Sequence, residues 1–252
     1  MARDKGYRMA LKDRLAAWRA LLVGLVYADH NRSPVVRRVI SQQLDALAAD
    51  GVGLNVGAGG TRLDPRVRNL DIVDGPGIDY VGPAEKIPLA DNTVDLVITQ
   101  ETLEHVADPV KAIAEITRVL KPGGSLYLQV PFTIGYHPGP TDFWRFTKEG
   151  IVQLAESSGL RCREIGQVVG PSTGFYRISV EHFAILGSLP SQMLYIPLKA
   201  AFSALFYPLK WLDFLTARSP QSDRIAGGYY VLATKTRSGT SGTTEGWSNP
   251  LG

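Results

Sequence analysis

A doubly wound α/β fold is what this sequence predicts: a mostly parallel, seven-stranded sheet with helices ahead of it and a helical insertion before the last strand. Three observations carry the prediction. From Gly51 onward, short β-branched runs alternate with helical ones, which is the pattern of a parallel sheet covered on both faces. The first of these runs leads directly into a glycine cluster, 51-GVGLNVGAGGTRLDP-65. A long apolar stretch of helical period then separates the last two strand candidates.

Taken in order, residues 1–50 read as an N-terminal helical extension of two helices. Leu11, Leu15, Trp18 and Leu22 mark the first, and Val35, Val36, Ile40, Leu44 and Leu47 the second, with the breaker 29-DHNRSP-34 between them. Residues 51–236 form the main domain. Its predicted strands are Gly53–Val56, Asn69–Val73, Ile78–Val81, Val94–Thr99, Ser125–Val130, Cys162–Val169 and Gly228–Thr236. A helix is expected over Pro109–Leu120, ended by 121-KPGG-124, and a second after Thr147, whose hydroxyl suits an N-cap. The insertion spans about residues 178–217, and the Gly/Ser/Thr-rich tail 237–252 reads as disordered.

Composition narrows the function. A chain of 252 residues with 44% hydrophobic content supports one good-sized core. The single cysteine, Cys162, excludes a disulfide framework and a thiolate zinc site, which points to a reducing, cytoplasmic setting, and no metal is expected. The net charge of +3 gathers in the first forty residues, from Arg3 and Lys5 to Arg37 and Arg38, without interleaved stacking aromatics, so nucleic acid is not the expected partner. The run 20-ALLVGLVYA-28 follows the acidic Asp4 and Asp13 and lacks a small-residue cleavage site, so it is not read as a leader. The region 191–215 is broken by Pro197, Lys199, Pro208 and Lys210, and a spanning helix needs about 20 apolar residues in sequence.

The glycine cluster asks for a ligand that approaches the backbone closely. A dinucleotide site requires G-x-G-x-x-G, but after Gly57 and Gly59 the third position is Arg62. No Gly-Lys-Ser/Thr follows, which excludes a Walker loop. A nucleoside without phosphate remains, S-adenosylmethionine being the common one, and Asp71 at the end of the second strand is placed to accept both hydroxyls of a ribose.

The motifs 54-LNVGAGG-60, Asp71, 79-DYVGPAEKIPLADNTVDLVITQETLEHVADP-109 and 118-RVLKPGGSLYLQVP-131 resemble, in order and spacing, those of class I S-adenosylmethionine-dependent methyltransferases with a type 11-like methyltransferase domain. The resemblance implies a Rossmann-like fold and S-adenosylmethionine as cofactor. It places Gly57, Ala58 and Gly59 under the methionine and ribose, Asp71 on the ribose, Ala84 and Glu85 beside the adenine, and Thr99, Gln100 and Glu101 beside the methionyl group. Asn55 stands where the family usually has an acid, and Pro83 where an acid commonly meets the adenine amino group. Both substitutions bear on cofactor binding and keep open a catalytically inactive scaffold.

The acceptor is expected at 136-YHPGPTDFWRFT-147, after the fifth strand. His137 is the candidate base with Asp142 as its orienter, Arg145 suits an anionic or hydroxyl-rich group, and Phe143 and Trp144 suit stacking. The pair Glu181 and His182 is a rival, and the opposite reading is a loop anchored by its own aromatics and an Arg–Asp pair. Glu104 and His105 read mainly as capping and packing groups. The stretch 142-DFWRFT-147 resembles ones in a subset of these methyltransferases often associated with cell-envelope and glycan metabolism, and that resemblance implies such an acceptor. The expected reaction is therefore methyl transfer to oxygen of a small molecule or glycan, with a quinone or other lipid-borne ring as the alternative acceptor. The apolar face of Leu194, Leu198, Phe202, Leu205, Leu209 and Leu212 reads as a lid or homodimer contact, or as a peripheral membrane contact aided by Lys199 and Lys210.

Overall fold

The computed structural model describes Asn31 and residues 33–236. The first predicted helix and the tail 237–252 lie outside the described residues.

Helix α1 (Pro34–Ala46) starts where Ser33 accepts a hydrogen bond from the Val36 amide and Pro34 presets the first turn. Its buried Val36, Val39 and Ile40 recur at helical spacing. Strands β1 (Gly53–Val56), β2 (Val67–Asp71), β3 (Tyr80–Val81), β4 (Val94–Gln100) and β5 (Leu120–Pro131) follow, with helix α2 (Pro109–Val119) before β5. Helix α3 (Lys148–Ser157) and strand β6 (Leu160–Val169) lead into helix α4 (Pro171–Gly187). Helix α5 (Tyr195–Phe206), a 3-10 segment (Tyr207–Leu212) and the short helix α6 (Asp213–Thr216) precede β7 (Gly228–Lys235).

The sheet has seven strands in the order β3-β2-β1-β4-β5-β7-β6, with β7 antiparallel to both neighbours and the rest parallel. This is the expected doubly wound, Rossmann-like architecture. Strand alternation sends Leu126, Leu128 and Val130 of β5 to the face covered by α2 and α3, and Tyr127 to the face shared with α1. Winding reverses between β1 and β4, so their carboxyl ends open a crevice there.

Several boundaries differ from the sequence reading, three of them at the site-forming half of the sheet. β2 pairs over Val67–Asp71 and not over Asn69–Val73, because the β-branched Ile72 and Val73 leave the sheet for solvent, 61% and 67% exposed. β3 is reduced to Tyr80 and Val81, paired with Leu70 and Asp71. The 121-KPGG-124 segment ends the helix as expected but continues as a bulged start of β5, where the pairing shifts between Val94 and Leu96 and Gly123 takes a φ of +86°.

The insertion begins at Pro171. Helix α4 has no side-chain cap of its own, and Asp213 supplies one from α6, accepting from the Ser172 amide at 2.8 Å and the Gly170 amide at 3.1 Å. Phe183, Phe202 and Phe206 pack together between α4 and α5. No described helix is long and apolar enough to cross a membrane.

Candidate functional site

At the carboxyl ends of β1, β2, β3 and β4 lies a cavity of about 690 Å³. The sheet assembles its floor and walls from Gly57, Gly59, Asp71, Ala84, Glu85 and Glu101, and 139-GPT-141 with Phe143 closes it from the loop after β5. Its volume lies within the range of about 300–1,000 Å³ usual for cofactor sites.

The glycine loop is shaped by left-handed backbone, with φ of +71° at Gly57, +53° at Gly59 and +77° at Gly60. Gly57 is required on a second ground: a Cβ there would lie 2.2 Å from the Thr102 hydroxyl oxygen. A Cβ at Gly59, by contrast, would meet no atom within 4 Å.

The loop's amides show which ligand it suits. Gly57 and Ala58 both donate to the Leu70 carbonyl, at 2.9 and 3.2 Å, and Gly59 donates to the Asp71 carboxylate at 2.8 Å. Amides turned inward in this way are not free to cradle a pyrophosphate. Asp71 accepts from Val73 on its other oxygen at 3.0 Å, so each oxygen keeps a lone pair for a diol. Leu70, Ile72, Pro83, Ala84 and Val106 supply apolar wall for a ring. These residues fit an S-adenosyl group.

Of the other cofactor candidates, Asn55 is buried beneath the loop, its amide directed at the Thr61 carbonyl and the Asn69 side chain, each at 3.4 Å. Ala58, Thr99 and Gln100 likewise do not line the cavity, and the Gln100 amide reaches Gln129 at 3.3 Å. Glu101 does line it, from a left-handed φ of +52°, and accepts from Gln129 at 3.2 Å.

Around the acceptor loop, Asp142 and Arg145 are committed to each other through two bonds of 2.6 and 2.7 Å. The remaining Arg145 hydrogens go to the carbonyls of Ile134, Gly135 and Trp144, Nη2 also meeting His137 Nδ1 at 3.2 Å, while Asp142 also accepts from the His137 amide. The Arg145 guanidinium holds the Asp142 carboxyl down at about 2. This pair fixes the loop and sets His137 in place; neither residue lines the cavity.

His137 lies behind His105, their rings 5.3 Å apart and nearly perpendicular. His105 lines the cavity and contacts the Thr141 carbonyl through Nδ1. Both histidines face Glu104, whose side chain is fully buried. Burial pushes the Glu104 carboxyl up to about 7, and the neighbouring Glu101 charge adds to this against the effect of His137. Glu104, in turn, raises His137 above its ordinary value. Glu104 and His105 pack at the start of this segment and also share one polar cluster with His137. Sequence reasoning also passed over Thr102, whose contact with Gly57 crosses from β4 to β1 and leaves no local signature. Glu181 is bound to Tyr195 and Lys199, and His182 is exposed, so the rival pair is not at the cavity.

Residues 48–128 match the family model described as a methyltransferase domain. A protein described as an uncharacterized methyltransferase of Mycobacterium tuberculosis is 39% identical over 92 residues, covering 30% of this chain and 37% of that one. A demethylmenaquinone methyltransferase of Renibacterium salmoninarum is 40% identical over 84 residues, 33% of this chain and 35% of that one. The chain thus spans little more than a third of the length of these relatives. Among solved structures, phosphoethanolamine N-methyltransferase 2 of Haemonchus contortus in complex with S-adenosyl-L-methionine superposes with a TM-score of 0.51 at 16% identity, over 86% of this chain and 56% of that one. That likeness is one of fold. Residues 48–128 thus resemble a methyltransferase domain by family model and motif order, set in a doubly wound sheet.

Proposed function

We propose that the protein transfers the sulfonium methyl of S-adenosylmethionine to an oxygen of a small-molecule or glycan acceptor. The observation that carries the cofactor half is the inward-turned glycine loop beside Asp71, which suits a ribose and refuses a pyrophosphate. The acceptor oxygen attacks the methyl carbon in line, the carbon–sulfur bond breaks toward sulfur, and S-adenosylhomocysteine leaves. The sulfonium already activates the methyl, so the chain's own work is alignment, exclusion of water and removal of the acceptor's proton. That proton goes to the polar cluster at the cavity edge, through His105 toward Glu104 and His137. Asp142 and Arg145 act on the step by positioning His137.

The polar 139-GPT-141 and Phe143 at the cavity mouth support a hydroxyl-bearing acceptor with a face to stack on. A second reading, a quinone or other lipid-borne ring, is favoured by the demethylmenaquinone methyltransferase among the relatives and by the exposed aromatics of the insertion. No cavity-lining residue comes from the insertion, which supports a peripheral membrane or homodimer contact over a lid on the cofactor. We place the protein in the cytoplasm on its single cysteine. The test is incubation with methyl-labelled S-adenosylmethionine and two acceptor pools, a lipid-linked glycan fraction and a quinone fraction. Label in the glycan pool supports the first reading, label in the quinone pool the second, and label in neither refutes both.

A further inference from the structure

We infer that Glu104, His105 and His137 form a binding site for one divalent transition-metal ion, zinc being the best chemical match. Their ligand atoms all lie within 4.8 Å of one another. One carboxylate oxygen of Glu104 is 3.7 Å from His105 Nε2 and 3.8 Å from His137 Nε2. A tetrahedral ion with bonds of about 2.1 Å wants its ligands about 3.4 Å apart, so a closure of about 0.3–0.4 Å completes these two edges.

Three further observations point to a cation. The Glu104 side chain is fully buried and neither of its carboxylate oxygens has a hydrogen-bond partner, an arrangement that burial otherwise penalises heavily. Each imidazole is oriented through its far nitrogen: His105 Nδ1 against the Thr141 carbonyl, and His137 Nδ1 against the Gly135 carbonyl at 3.0 Å. At His105 the carbonyl partner favours the hydrogen on Nδ1 and leaves the Nε2 lone pair facing Glu104, which is how ligating histidines are held; His137 Nδ1 also meets Arg145 Nη2 at 3.2 Å, and its Nε2 likewise faces Glu104. The adjacent Arg145 charge is neutralised by Asp142 and lies on the Nδ1 side of His137, away from the ligand atoms.

Two imidazoles and one carboxylate suit zinc, cobalt, nickel or ferrous iron better than magnesium or calcium, and they leave a coordination position open. His105 and Thr141 line the cavity, so the site borders it. With the ion bound, these three groups are ligands and no longer take the acceptor's proton; the ion would act instead as a Lewis acid that acidifies an acceptor hydroxyl, its proton passing to solvent. This role rests on the methyltransferase reading; the site itself rests only on its geometry.

The experiment uses untagged, full-length protein stripped with a chelator, titrated with zinc by calorimetry and with cobalt by visible absorption, each alongside a titration with S-adenosylhomocysteine. We expect one equivalent of metal per chain and a cobalt ligand-field band. Glu104→Gln, His105→Ala and His137→Ala should each weaken zinc binding at least tenfold, while His182→Ala leaves it unchanged. Absence of saturable zinc binding to the wild type overturns the site, as does binding that persists in the His105→Ala, His137→Ala double variant. Failure of the metal titration with intact S-adenosylhomocysteine binding removes the metal site alone, and the reverse result removes the cofactor reading alone.

Discussion

Replacing Gly57 by alanine probes the turn on which the cofactor site is built. At a φ of +71° a residue with a Cβ pays about 1–2 kcal/mol for left-handed backbone. The new methyl would also lie 2.2 Å from Thr102 Oγ1 and 2.6 Å from its Cγ2. Forcing it into that space costs about 1–3 kcal/mol. Thr102 cannot simply turn aside, because its hydroxyl donates to the carbonyls of Val56 and Gln100 at 3.1 and 3.2 Å, and losing that bond costs about 1 kcal/mol. Stiffening of the unfolded chain returns about 0.4–1 kcal/mol. The net expectation is a loss of about 2–4 kcal/mol in unfolding free energy. Gly59→Ala is the internal control: with no atom within 4 Å of the new methyl, only backbone strain of about 1 kcal/mol remains, while the methyl intrudes on the cavity and lowers cofactor affinity. Urea denaturation and titration with S-adenosylhomocysteine read both effects. Equal destabilisation by the two substitutions, or a Gly57→Ala protein within about 0.5 kcal/mol of wild type, would refute the assigned Thr102 contact.

Asp71→Ala should weaken S-adenosylhomocysteine binding by about 1.5–3 kcal/mol, as for hydrogen bonds to a charged group, and unchanged affinity in a calorimeter would displace the ribose from this site. Asp142→Asn should destabilise the protein by on the order of 2 kcal/mol at pH 7. Because Arg145 lowers the folded Asp142 from 3.8 to about 2, this contribution is present above pH 3.8 and disappears as pH falls through about 2, so thermal melts of the two proteins should converge there. The exposed Trp211 and Phe214, 71% and 66% accessible, should carry the protein upward with anionic liposomes in a flotation gradient. The double change to aspartate should leave it at the bottom, and equal recovery of both proteins would remove the insertion from membrane binding.

The sheet was legible in the sequence because parallel strands buried on both faces read as compact apolar runs, as at Gly53–Val56 and Val94–Gln100. Strand ends were less so: Ile72 and Val73 carry strand chemistry but lie beyond the last pairing residue, Asp71. The cofactor loop could be read from its glycines, since only particular backbone angles explain them. The direction of Asn55, buried beneath the loop and away from the cavity, could not, because alternation along a strand covered on both faces does not tell cavity from core. Least visible was the cluster of Glu104, His105 and His137. It forms only when the loop after β5 folds back so that Phe143 donates to the Glu104 carbonyl at 2.7 Å, a contact across 39 positions of chain with no periodic trace.

Calorimetric titration of the purified protein with S-adenosylmethionine, S-adenosylhomocysteine and NAD tests the account most directly. It predicts saturable, one-to-one binding of the first two at micromolar concentration and none of NAD, since the loop amides are turned away from a pyrophosphate. Silence toward both S-adenosyl ligands would contradict the account and leave a methyltransferase fold whose Asn55 and Pro83 have disabled its site.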